Sequence, residues 1–172
     1  MSSKSGYSKK ILKILAEKPA ISLDNIKGAN DPKTCYALSR ALKNLIEGGY
    51  AEVHSSGRED YVKITKKGKV KVNSLRLETG EALAPLTWDG LWRIIILDIG
   101  EDRKSEREAL RYLLKKANFV CVKNTVWISP YPYEHLFTNI KKDLDLTTEL
   151  MIIVTDKLDP ETTKSFLEAM KS

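Results

Sequence analysis

The side chains capable of chemistry in this sequence are few and scattered. Asp98 is a lone carboxylate in the apolar run Ile94-Ile95-Ile96-Leu97-Asp98-Ile99, and Glu101 and Asp102 follow it closely. Metal-dependent nucleases gather several carboxylates around one or two divalent ions. This short cluster is therefore the one place where catalysis, or Mg²⁺ or Mn²⁺ binding, comes into question. The other roles open to Asp98 are a cap on the following segment, an ion pair with Arg103 or Arg107, or none. His54 and His135 are the only histidines and lie far apart, so no Ser/His/Asp or Cys/His triad suggests itself. Cys35 and Cys121 are too few and too widely spaced for a zinc site or a disulfide framework. Gly100 is isolated, which argues against a glycine-rich phosphate loop. No cofactor is implied beyond the divalent metal that a nuclease would need.

A second constellation has the chemistry of binding. Asp31-Pro32 opens a helix, with Asp31 as N-cap and Pro32 at its first position. Leu38, Ala41, Leu42, Leu45 and Ile46 then follow the i, i+3, i+4, i+7, i+8 spacing of a buried stripe, and Gly48-Gly49 ends the helix. The opposite face carries Lys33, Thr34, Tyr36, Arg40, Lys43 and Asn44. Arginine pairs bidentately with guanine, asparagine with adenine, and lysine neutralises phosphate, so this face suits duplex DNA. A hairpin signal follows, with strand-like runs 50–55 and 60–65 around Ser56-Gly57-Arg58-Glu59. His54, Ser55, Ser56 and Arg58 are its candidate DNA contacts, opposed by the neighbouring Glu59 and Asp60.

The elements around these residues fall into two halves. Helices are expected over 8–17, with Ser8 as a cap, over a short stretch after Ser22, and over the Asp31-Pro32 helix. Three short helices followed by a hairpin match a winged helix-turn-helix, and Thr65 is placed to cap a further helix over 66–77. Residues 78–87 read as a linker punctuated by Gly80 and Pro85. The second half reads as strand 93–99, helix 104–116, strands 119–123 and 125–129, helix 133–144, strand 149–155 and a final helix 160–171. That β-α-β-β-α-β order is the ferredoxin-like pattern. The expected fold class is α+β, with a winged-helix domain over 1–77, a linker over 78–87 and a ferredoxin-like dimerisation domain over 88–172.

Charge agrees with this division. Residues 1–86 hold 16 Lys/Arg against 9 Asp/Glu, whereas residues 87–172 hold 13 against 14. A basic first half favours a polyanion partner, double-stranded DNA before membrane. The longest apolar run is too short to span a bilayer and the N-terminus lacks a signal-peptide core, so the cytoplasm is the expected compartment. The strand 93–99 is apolar on both phases. In a ferredoxin-like sheet only one face is covered by the two helices, so Ile94, Ile96 and Asp98 are expected to meet a second copy of the chain.

The motifs SRALKNLIEGGYAEV, GREDYVKIT, WDGLWRIIIL, EREALRYLLKKANF and TVWISP occur in that order. On these segments the chain resembles PaaX-type transcriptional repressors, in shortened form. In that family the second half is itself similar to the CRISPR-associated adaptation protein Cas-two, a ferredoxin-fold homodimer whose first strand ends in a Tyr-Asp-Ile-like motif. Leu97-Asp98-Ile99 stands at that place here. The resemblance implies a homodimeric DNA-binding repressor, with its inducer and operator unspecified. It also implies the alternative of a Cas-two-like nuclease or adaptation factor in which Asp98 and its symmetry mate bind a metal.

Overall fold

The computed structural model describes residues 4–28, 31–57, 59–80 and 86–171. The chain divides into two compact units, Met1–Leu75 and Arg76–Ser172.

In the first unit, α1 (Lys4–Glu17) precedes the two-residue strand β1 (Ile21–Ser22), α2 (Leu23–Lys27), α3 (Pro32–Glu47), β2 (Ala51–Ser56), β3 (Glu59–Ile64) and most of α4 (Lys66–Thr79), whose residues from Arg76 on belong to the second unit. Helix α1 starts four residues before the expected Ser8 cap, so Ser8 lies inside the helix. Strand β1 pairs with β3 through Ile21↔Val62 and Ser22↔Tyr61, making a three-stranded sheet of order β1-β3-β2. The core joins Ile11, Leu12 and Leu15 of α1 to Leu38, Ala41, Leu42 and Leu45 of α3, with Ala51, Val62 and Val72 closing it.

The end of α3 is clasped to the start of α4. The Thr65 hydroxyl donates to the Gly49 carbonyl at 2.7 Å and accepts from the Gly68 amide at 3.1 Å, which is the capping role expected of Thr65. Lys67 Nζ donates to the Gly48 carbonyl at 2.8 Å, with the ammonium 4.8 Å from the Tyr50 ring centre. Gly68 packs so closely that a Cβ there would lie 2.1 Å from the Tyr50 carbonyl oxygen. Helix α4 runs on to Thr79, two residues into the stretch expected to be linker.

The second unit contains β4 (Trp92–Leu97), a 3₁₀ turn (Glu101–Arg103), α5 (Lys104–Lys116), β5 (Val120–Lys123), β6 (Val126–Ser129), α6 (Glu134–Asp143), β7 (Leu150–Thr155) and α7 (Pro160–Met170). This is the β-α-β-β-α-β order, folded into an antiparallel sheet of order β5-β6-β4-β7. Along β4 the phase of Arg93, Ile95 and Leu97 is buried, together with Leu110, Leu113 and Leu114 of α5 and Phe137 and Ile140 of α6. Tyr112 of the same helix is half exposed, and the Lys116 ammonium sits over its ring. In α3 the expected stripe is buried at Leu38, Ala41, Leu42 and Leu45, with Ile46 only partly buried, and α5 buries Leu110, Leu113 and Leu114 at helical spacing.

A buried ionic clip fixes the entry to this sheet. Arg93 is only 2% exposed. Its guanidinium donates from Nη2 to Asp89 at 2.7 Å, from Nε to Glu134 at 2.8 Å and from Nη1 to the Leu91 carbonyl at 2.9 Å; Nη1 and Nη2 also bond Asp89 and Glu134, respectively. All five N–H groups are satisfied, which is what allows a cation to stand in an apolar strand. Trp88 Nε1 donates to the same Leu91 carbonyl, so the Trp88-Asp89-Gly90 turn is folded back onto the strand it precedes.

Candidate nucleic-acid interface

Helix α3 carries most of the residues expected from sequence to contact DNA. Its start is fixed by Asp31, whose carboxylate accepts from the amides of Lys33 and Thr34 at 3.0 and 3.1 Å. The Thr34 hydroxyl donates to the same carboxylate at 2.6 Å. These bonds, that of the Thr34 hydroxyl foremost, hold Asp31 below the ordinary carboxylate range, so the cap stays ionised. The Thr34 hydroxyl is consequently committed to the cap, while Lys33 is exposed at the helix's first turn.

Tyr36, Arg40, Lys43 and Asn44 share one exposed face, opposite buried Leu38, Ala41, Leu42 and Leu45. Together with Ser39 and Glu47 they line a shallow depression along the helix. Tyr36 is 69% exposed, a large aromatic ring standing in water with no core role. Lys43 lies 3.7 Å from Glu47 in an exposed i, i+4 pair of the kind that contributes little and yields to a better anion. Ser39 and Glu47 are additions to the residues expected from sequence. Both follow from the same helical spacing, three or four positions from Tyr36 and Lys43.

The hairpin is more acidic at close range. The His54 ring lies 2.8 Å from Glu52 Oε1, and the Ser55 hydroxyl donates to Asp60 at 2.5 Å. Ser56 is exposed at the end of β2. Arg58, the fourth hairpin candidate, lies outside the described residues. Of the lysines at 66–71, Lys67 is occupied by the clasp on α3.

In the second unit Asp98 is exposed just past β4, and its amide donates to the Glu149 carbonyl at 2.8 Å, extending the β4–β7 ladder. Of the roles open to Asp98, the ion pair with Arg103 or Arg107 is the one these side chains do not form. Arg103 bonds Glu106 at 2.7 Å and Glu149 at 3.1 Å, and Arg107 bonds Glu101 at 2.8 Å. For both arginines these other carboxylates stand closer. Glu149 is further bonded by its own amide and by Thr147, and with Arg103 nearby it is held down to about 2. Among the described residues no group of three or more His, Cys, Asp or Glu side chains is spaced to hold a metal ion.

The sheet face bearing Ile94 and Ile96 is not wholly open, contrary to expectation. Trp92, on the same phase, packs against Phe166 of α7 with ring centres 5.1 Å apart, and α7 lies along β5. The chain's own last helix thus covers the β5–β6 half, where Ile128 is fully buried. The β4–β7 half remains. There Ile94 pairs with Ile153 and Ile96 with Met151. Ile94 and Ile96 are half-buried, while Met151 and Ile153 are each more than 40% exposed.

No helix among the described residues is long and apolar enough to cross a membrane. No curated protein matches the chain. Residues 85–167 match the family model described as PaaX protein central Cas2-like domain. The β-α-β-β-α-β half of this chain is thus similar to the PaaX central Cas2-like domain.

Proposed function

We propose that the chain is a homodimeric, cytoplasmic DNA-binding transcriptional regulator, a repressor of the PaaX type. In this reading the first unit is a winged helix-turn-helix. Helix α3 enters the major groove, and the β2–β3 hairpin acts as an auxiliary wing. The second unit holds two copies together through Ile94, Ile96, Met151 and Ile153, with Asp98 at the margin of that contact. A two-fold dimer of such heads calls for a roughly palindromic site on duplex DNA.

The observation that carries this reading is the division of α3 into a sealed apolar face and an exposed face of Tyr36, Arg40, Lys43 and Asn44. One such face combines a phosphate-seeking cation, a guanine-reading guanidinium and an adenine-reading amide. Among the described residues no group of three or more His, Cys, Asp or Glu side chains could hold a metal ion at Asp98, and this reading gives Asp98 no catalytic role.

The test is fluorescence anisotropy with a duplex from the protein's own promoter region, over a salt series. Each phosphate contact contributes about −0.9 to the slope of log affinity against log salt. Arg40→Ala with Lys43→Ala is expected to weaken binding at least about tenfold and to flatten the dimer's slope by about 2–4. Unchanged affinity and slope in a folded double variant would refute the assignment of α3.

A further inference from the structure

The first unit also contains a cavity of about 520 Å³ between α1, α2, β1 and β3. That volume falls within the roughly 300–1,000 Å³ of small-molecule sites, which are apolar pockets with a few placed polar groups. Its walls are Ile11, Leu15, Ile21, Ile26 and Leu38, and Ile14 projects into it while 38% exposed. Beside this well-filled core Ile14 leaves apolar surface open to solvent among the described residues.

Charge at the mouth indicates the occupant. Lys10 lies one turn before Ile14 on α1, and Lys18 follows just past the helix end, so two ammonium groups flank the exposed isoleucine. Both lysines are exposed, and among the described residues neither forms an ion pair with a carboxylate. Among the described residues the acid on the rim is Glu59, which accepts a hydrogen bond from Tyr61 Oη at 3.0 Å. Apolar walls below a doubly cationic mouth complement a molecule with an oily body and one anionic end. The floor residue Leu38 belongs to the buried stripe of α3, and Glu59 and Tyr61 belong to β3. An occupant therefore touches both the helix and the hairpin assigned to DNA.

We propose that this cavity binds an amphipathic monocarboxylate, its apolar body against Ile14, Ile26 and Leu38 and its carboxylate between Lys10 and Lys18, and that occupancy alters DNA affinity. The regulatory half of this proposal rests on the reading of α3 given above; the binding half does not.

The probe is decanoate, with decanol as the same body lacking the charge, titrated into the full ¹⁵N-labelled chain. Saturable amide shifts are expected at Ile14, Ile26 and Leu38, with decanol binding at least about tenfold more weakly. Lys10→Glu with Lys18→Glu is expected to weaken decanoate by a similar factor while leaving the thermal midpoint in place. Ile14→Trp, which fills the cavity from a partly exposed position, is expected to abolish binding of both. Equal affinity for decanoate and decanol, shifts centred on Met151 and Ile153 instead, or undiminished binding by Ile14→Trp each overturns the site. Anisotropy with and without saturating decanoate then tests regulation, and an unchanged DNA affinity overturns that half. Failure of the ligand-free protein to bind duplex DNA counts against the reading of α3, and the amide shifts then decide the cavity on their own.

Discussion

Replacing Arg93 by alanine removes the cation from between Asp89 and Glu134 and unmakes five hydrogen bonds at once. The two carboxylates are then left facing each other across a cavity. Removing one partner from a buried ion pair costs about 3–5 kcal/mol, because the remaining charge is left uncompensated. The side chains of Asp89 and Glu134 are 42% and 22% exposed and can partly rehydrate, which places Arg93→Ala near the lower end of that range, at about 3–4 kcal/mol. Arg93→Met keeps most of the stem's volume and separates the charge from the packing. For a unit of this size about 3 kcal/mol lowers the melting midpoint by more than about 12 °C. All three tryptophans, Trp88, Trp92 and Trp127, lie in the second unit, so tryptophan fluorescence reports its unfolding without interference from the first. Urea titrations followed this way should show both variants destabilised, alanine more than methionine. A loss below about 1 kcal/mol for Arg93→Ala would mean that the clip is ornamental and that apolar packing alone holds the strand.

Acid should weaken the second unit in a defined window. Arg93 draws Asp89 from 3.8 down to about 2, and its own amide and Thr147 draw Glu149 from 4.5 down to about 2. Carboxyls depressed in the folded state contribute stability that is complete above about pH 4.5 and is lost as pH falls towards 2, so tryptophan-detected melting midpoints should hold from about pH 6 to 5 and fall steeply below about 4. Gly68→Ala should destabilise the first unit by about 1–3 kcal/mol or more, since its Cβ would meet a carbonyl that cannot swing away. Gly6→Ala, with open space around it in α1, should stabilise by about 0.5–1 kcal/mol; circular-dichroism melts compare the two. Ile153→Glu should convert dimers to monomers in sedimentation equilibrium at micromolar concentration without lowering the thermal midpoint of the monomer, and a dimer that persists would remove the β4–β7 face from the interface.

Whether a feature is legible in the sequence depends on whether a residue's fate is local. Asp31-Pro32, the stripe from Leu38 to Leu45 and the end at Gly48 define α3 within a few residues, because capping and helical spacing act over that range. The strand and helix order of the second half is readable for the same reason. Strand β1 is not, since two residues become a strand only by pairing with Tyr61 and Val62. The start of α1 escapes a sequence reading because Lys4 to Gly6 carry no apolar side chain, and only Tyr7, one turn before Ile11, joins the core. Arg93 and Asp98 show the harder case. Each charge has several possible partners in sequence, and tertiary placement gives Arg93 to Asp89 and Glu134 while leaving Arg103 and Arg107 to other acids than Asp98. The partial cover on the sheet likewise depends on Phe166 reaching Trp92 across the whole second half of the chain.

The clasp formed by Thr65, Lys67 and Gly68 bears on how α3 can move. Its C-terminal end is bolted to the backbone at Gly48 and Gly49, whereas its N-terminal turn is tied by Asp31 to amides of the helix itself. With one end so fastened and the middle held in the core by Leu38 to Leu45, displacement of α3 is expected to be largest at the turn that carries Lys33 and Tyr36 and smallest at Asn44 and Glu47.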